Sequence, residues 1–191
     1  MKIIETTFPG ILIFEPRVFS DARGVFFESW RRNMYAEAGA SLDFVQDNLS
    51  TSYKGVVRGL HFQNPRQQSK LVYVADGEVF DVAVDVRTGS PTFGKWFGAV
   101  LSSENRRQMY IPKGFAHGFQ TLSEKAVFTY KCDDYYSAEA ELCVRWDDPA
   151  IGIDWPIKTP ILSPKDGAAP TLHEIEQSKL PAYAPDQIVS N

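Results

Sequence analysis

Short runs rich in Val, Ile, Phe, Tyr and Thr recur along the whole chain, cut at close intervals by Gly, Pro, Asn and Asp. Side chains of that kind suit a pleated, half-buried surface, and the punctuation between them turns the chain back on itself. The pattern predicts an all-β protein, an antiparallel sandwich or barrel with a few short helices. Helix is expected in two places: Glu28 to Gly39, where polar and aromatic residues mix before a glycine stop, and Thr171 to Leu180, ended by Pro181. With no repeat, low-complexity tract or linker, residues 1–180 are expected to form one domain. Residues 181–191 hold two prolines and few large apolar side chains, and are expected to be a surface tail.

The clearest local signal is Lys70 to Ala75, then Asp76-Gly77, then Glu78 to Asp85. Asp-Gly favours a two-residue type I′ turn, so a hairpin is predicted in which Ala75 pairs with Glu78 and Val72 lies opposite Asp81. Lys70 and Asp81 would then sit diagonally on one face, among Val72, Val74, Val79 and Ala83. Those neighbours mark an enclosed side and a pocket.

Charge and cysteine usage narrow the classes of function. A formal net charge of −4 and a pI near 5.4 speak against a nucleic-acid surface, which needs a concentrated basic field. No apolar run is long enough for a signal peptide or a membrane span, which predicts a cytoplasmic protein. Cys132 and Cys143 lack metal or redox spacing and read as reduced packing residues.

Of the three histidines, two lie in informative segments. In Val56 to Gln63, His61 stands near Arg58, an imidazole for proton transfer beside a guanidinium for an anion. Their odd spacing would put them on opposite faces of a regular strand, so Gly59 is predicted to mark a bulge or strand end. In Met109 to Gln120, the residues Pro112, Gly114 and His117 resemble the second cupin motif, P-x-G-x-x-H. The first motif normally reads H-x-H, whereas here Gln63 replaces its second histidine. His173 falls in the predicted C-terminal helix as a surface residue. Two histidines and a carboxylate would suffice for iron in principle, but not for the usual cupin metal set. Taken singly, Tyr130 reads as a core aromatic alternating with Phe128, and Arg23 and Asp166 read as turn residues.

The order and spacing of a longer series of motifs go further. They are Asp21 to Gly24 with Phe27-Glu28, Gln46 to Ser50, Val57 to Gln63, Gly77 to Asp85 and Ser90 to Gly94, then Ile111 to Phe119, Tyr130-Lys131, Tyr135 to Ser137 and Ser163 to Asp166. In these the chain resembles the dTDP-4-dehydrorhamnose 3,5-epimerase family, jelly-roll cupins of nucleotide-sugar biosynthesis that work without a metal or other cofactor. The resemblance implies His61 as general base oriented by Asp166, Tyr130 as general acid, and Lys70 on the enolate oxygen, with Asp81 in support. It implies that Arg23, Glu28, Gln46, Asn48, Arg58, His117, Glu141 and Lys165 contact a dTDP-4-keto-6-deoxy sugar and that Tyr136 stacks on its thymine. A homodimer exchanging N-terminal strands is also implied. The chemistry asks for these types: hydrogens on C3 and C5 are α to a 4-keto group, so one base, one acid on the opposite wall and a cation at the carbonyl suffice. The rival readings are a single-site epimerase of a related sugar, a metal-dependent cupin dioxygenase or isomerase using His61, His117 and a carboxylate, and a jelly roll that binds sugar without catalysis.

Overall fold

The computed structural model describes residues 1–40 and 43–184. The described strands, in chain order, are β1 (Lys2–Glu5), β2 (Leu12–Glu15), β3 (Val18–Asp21), β4 (Gly24–Phe27), β5 (Gln46–Tyr53), β6 (Val57–Gln63), β7 (Lys70–Asp76), β8 (Glu78–Asp85), β9 (Trp96–Ser102), β10 (Gln108–Ile111), β11 (Phe115–Thr121), β12 (Lys125–Cys132) and β13 (Glu141–Cys143). Among the described residues two α-helices accompany them, α1 (Arg32–Ala36) and α2 (Pro164–Gly167). One sheet runs β1-β2-β10-β7-β12-β5 and the other β13-β6-β11-β8-β9, all antiparallel, while β3 and β4 form a separate ribbon. The two sheets face each other as a cupin-like jelly roll, as the alternating runs predicted.

Three apolar layers hold it together. Between the sheets, Ile13, Val72, Val74, Met109, Ile111 and Phe128 pack against Val79, Ala83, Leu101, Phe115 and Phe119. Outside the five-stranded sheet, Leu60, Phe62, Val82 and Val84 are covered by Val144, Trp155, Leu172 and Leu180 from the C-terminal third. On the back of the six-stranded sheet, Phe14, Leu71 and Tyr110 pack with Tyr35 and Ala40. Strands covered on both sides lose the apolar/polar alternation, which is why β8 and β11 read as almost continuous buried runs.

The predicted hairpin is corrected. β7 pairs with β10 and β12, and β8 pairs with β11 and β9, so Asp76-Gly77 carries the chain from one sheet to the other. Gly77 is required there because its φ is 84° and a Cβ would lie 2.2 Å from the Lys125 carbonyl oxygen. The enclosed face is nonetheless real: Val72, Val74, Val79 and Ala83 share the core, but across the sandwich and not along one sheet. Lys70 and Asp81 therefore stand on facing sheets.

Both helical expectations shrink. Arg31 is extended and caps nothing, so the first helix covers only Arg32–Ala36 before the turn through Gly39. In the second segment, Glu174 accepts from the Thr171 amide and hydroxyl at 2.8 Å, yet the helix lasts one 3-10 turn (Leu172–Glu174) because Ile175 turns extended. A second 3-10 turn, Gln177–Lys179, follows. The apolar side chains Leu172, Ile175 and Leu180 are thereby laid flat on the sheet, at a spacing no single helical face provides. His173 is exposed on the first of these turns. Of the tail, residues 181–183 run beside Thr88, which donates to the Pro181 carbonyl at 2.8 Å and accepts from the Tyr183 amide at 3.0 Å. Residues 185–191 lie outside the described residues. No helix among the described residues is long and apolar enough to cross a membrane.

Candidate active site

At one end of the sandwich the inward rows turn from apolar to polar. On the five-stranded sheet, Cys143, His61 and His117 are direct cross-strand neighbours and so share a face. On the opposing sheet, Gln46, Cys132 and Lys70 form one row and Asn48, Tyr130 and Val72 the next. β5 reverses the usual alternation: Leu49 and Tyr53 point outward and are exposed, whereas Gln46, Asn48, Ser50 and Ser52 point inward. A polar row on an inner face suits a ligand better than a core.

The predicted bulge lies where the odd spacing of Arg58 and His61 required it. His117 opposes His61 and Phe119 opposes Arg58, so three residue steps on β6 match two on β11. Gly59, at φ 129°, supplies the bend, and a Cβ there would lie 2.5 Å from Gly118 Cα. The converse contact is as close, since a Cβ on Gly118 would meet the Arg58 carbonyl oxygen at 2.6 Å. This glycine pair lets two strand backbones approach while re-aiming the histidine.

His61 meets Asp166 at 2.7 Å through Nε2, with the imidazole 35% exposed and the carboxylate 5% exposed. Asp166 comes from α2, whose cap Ser163 accepts the Asp166 amide through Oγ. Burial pushes the Asp166 carboxyl up, but the hydrogen bond with His61, its charge and contacts with Ser163 and the Gly59 backbone outweigh it and hold the group below its ordinary value. The Asp166 carboxylate thus fixes one ring nitrogen, Nε2, and leaves Nδ1 for a proton. Facing it, burial raises the Tyr130 hydroxyl, reinforced by Cys132 and Glu141 against the opposing pull of Arg58, so the phenol stays protonated. Lys70 is buried, and desolvation lowers its ammonium although Cys132, Asp133 and Glu141 draw it back up.

Around this centre, His117 Nε2 lies 3.0 Å from both oxygens of the fully buried Asp81. Desolvation raises the Asp81 carboxyl, and His117 opposes the rise. Arg58 is anchored by Nε donating to Ser52 Oγ at 2.9 Å. Glu141 accepts from Tyr136 Oη at 2.8 Å and from Lys165 Nζ. Burial pushes the Glu141 carboxyl up, but the hydrogen bonds from Lys165 and Tyr136 and the Lys165 charge outweigh it and hold the group below its ordinary value. Gln46 donates to Asn48 and accepts the Tyr136 amide at 2.8 Å.

Two expected residues are not brought here within one chain. Arg23, at the tip of the β3–β4 ribbon, is 90% exposed and paired to Asp21 at 2.6 Å. Glu28 faces Arg31 at 3.5 Å in a groove lined by Met1, Arg17, Phe19 and Met34. Two other residues were missed as site residues. Gln63 Oε1 accepts the Ser137 amide at 2.8 Å, and its Nε2 donates to the Arg66 and Tyr135 carbonyls at 2.8 and 3.3 Å, so it holds the loop that carries Tyr136. Ser50 Oγ is buried with no hydrogen-bond partner among the described residues, in line with Asn48 and Ser52. Their signals were the replaced cupin histidine and the polar alternation of β5. His117 turns onto Asp81, and His61 and His117 do not fall in one cluster of three possible metal donors among the described residues. Among the described residues the one cluster of three possible metal donors is His61, Cys143 and Asp166.

Comparison with known proteins gives the family of this fold. The family described as dTDP-4-dehydrorhamnose 3,5-epimerase matches residues 5–174. A Salmonella typhimurium relative named dTDP-4-dehydrorhamnose 3,5-epimerase is 56% identical over 177 residues, covering 91% of this chain and 97% of that protein. One of the same name from Neisseria gonorrhoeae is 55% identical over 181 residues, which is 94% of this chain but 55% of that longer protein. The solved structure of a Legionella pneumophila dTDP-6-deoxy-D-glucose-3,5-epimerase, in complex with dTDP-4-keto-L-rhamnose, superposes with a TM-score of 0.94 at 53% identity, covering 96% of this chain and 98% of that one. Fold, motif order and relatives agree, and the chain belongs to the dTDP-4-dehydrorhamnose 3,5-epimerase family.

Proposed function

We propose that this chain is an isomerase that epimerises C3 and C5 of dTDP-4-dehydro-6-deoxy-D-glucose to give dTDP-4-dehydro-L-rhamnose, a step in dTDP-rhamnose biosynthesis. The observation that carries the reading is the opposition of His61–Asp166 on one wall and protonated Tyr130 on the other, with the Lys70 ammonium enclosed between the sheets. His61 takes the proton α to the 4-keto group, and the electron pair moves onto the carbonyl oxygen as an enolate beside Lys70. Tyr130 then gives its proton to the opposite face of the same carbon, and solvent restores both groups. A buried ammonium is worth most where charge develops in the transition state, about 2.7–4 kcal/mol for one such donor.

Arg58, His117, Gln46, Asn48, Glu141 and Lys165 contact the nucleotide sugar, Asp81 holds His117, and Tyr136 stacks on the thymine. Residues 1–180 act as one catalytic domain. The chain works as a cytoplasmic homodimer whose N-terminal strands exchange, which brings Arg23 and Glu28 to the partner's pocket. Supporting the dimer, Phe19 and Phe26 on the ribbon, and Leu49 and Tyr53 on the outer face of edge strand β5, are 49%, 67%, 67% and 69% exposed. The test is incubation with dTDP-4-keto-6-deoxyglucose in deuterated water. Deuterium at both C3 and C5 of the product is expected. Incorporation at one carbon would narrow the enzyme to a single-site epimerase, and none at either would overturn the reading.

A further inference from the structure

His61, Cys143 and Asp166 arrive from three separate elements, β6, β13 and α2, yet one donor atom from each lies within 4.8 Å of the others. Two of the separations are tighter: His61 Nε2 to Asp166 Oδ1 is 2.7 Å, and Cys143 Sγ to the same oxygen is 3.9 Å. Zinc prefers such a mixed set, binding imidazole nitrogen and carboxylate oxygen at about 2.0–2.2 Å and thiolate sulfur at about 2.3 Å in a tetrahedron. Ligand atoms in that tetrahedron stand roughly 3.3–3.7 Å apart, so small side-chain shifts would admit the ion. The imidazole is also partly exposed, which gives the ion a path in and leaves a fourth position for water.

We propose that a thiophilic divalent cation, Zn2+, binds across His61, Cys143 and Asp166 and inhibits the enzyme by occupying the imidazole that must receive the substrate proton. Binding releases the Cys143 thiol proton to solvent, replaces the His61 Nε2–Asp166 hydrogen bond with two bonds to the metal, and moves the ring proton from Nε2 to Nδ1, the nitrogen that would otherwise receive the substrate proton. The donor geometry alone carries the binding. The inhibition rests on His61 being the base, as proposed above.

Two measurements on the full chain separate these parts. Co2+, used as an optical stand-in for Zn2+, is expected to bind once per chain with a thiolate-to-metal charge-transfer absorption that Cys143→Ser removes. In the epimerase assay, Zn2+ is expected to inhibit the wild-type chain reversibly, with activity restored by a chelator. Measured against its own metal-free rate, Cys143→Ser needs at least about tenfold more Zn2+ for the same fractional inhibition, the smaller loss typical when even an indirect support of a metal ligand is removed. Equal Zn2+ sensitivity of the two proteins, or no charge-transfer absorption in the wild-type chain, overturns the proposal. Cys143→Ala serves the same comparison if the serine variant does not fold. Full activity of His61→Asn would overturn the proposed base and the inhibition, while Co2+ absorption in the wild-type chain would still report the site.

Discussion

Replacing Lys70 by Met should separate function from stability in opposite directions. Lys70 is 7% exposed, flanked across the sheet by Ile111 and Cys132, and burial lowers its ammonium below the ordinary 10.5. A charge held against such a penalty costs the fold free energy. An apolar side chain of similar length removes the cost, at the lower end of the 1–4 kcal/mol seen when buried charges are replaced, because Asp133 and Glu141 lose a favourable neighbour. A gain of about 1 kcal/mol would raise Tm by roughly 2–4 °C in a chain of this size. The same change removes the cation beside the enolate, lowering kcat by about 10²–10³-fold. The pH dependence carries a sign. Between the lowered folded value and 10.5 the unfolded chain binds more protons at Lys70, so this residue makes wild-type stability rise with pH across that window. The difference in stability between variant and wild type should therefore shrink as pH rises. Calorimetry across the alkaline range and steady-state kinetics check both arms. A lower Tm, or a kcat within about threefold of wild type, would refute the reasoning.

Gly118→Ala forces a Cβ to 2.6 Å from the Arg58 carbonyl oxygen, and backbone on both strands must move. A loss of about 1–3 kcal/mol in denaturant unfolding is expected, with kcat falling as His61 is displaced; an unchanged midpoint would mean the bulge is soft. Gln63→Leu leaves the Ser137 amide without its acceptor and frees the Tyr136 loop. KM for the nucleotide sugar should rise by about tenfold while kcat holds, and a fall in kcat at constant KM would place Gln63 in the chemistry instead.

Much of the layout was legible from local pattern. Parity along β7 and β8 was enough to turn Val72, Val74, Val79 and Ala83 toward an interior. The parity conflict between Arg58 and His61 located the bulge. Strand partnership was not legible, because Asp76-Gly77 is equally good chemistry for a hairpin and for a crossover, and packing against β10, β11 and β12 decides between them. Helix propensity in 171–180 gave way to the need to cover Leu60 and Val84 with Leu172 and Leu180. Asp166 had no local signal, since its partner lies 105 positions away, and only the joint match of dispersed motifs pointed to it. Gln63 drew notice for what it replaced, but its hydrogen bonds to the Tyr135–Ser137 loop depend on tertiary structure.

The central claim is that proton removal and proton return belong to opposite walls of the pocket. Solvent exchange in deuterated water tests it with two variants. His61→Asn should abolish deuterium incorporation at both C3 and C5, whereas Tyr130→Phe should retain exchange while inversion fails. Wild-type exchange in the His61 variant, or equal loss of exchange and inversion in both, would contradict the account.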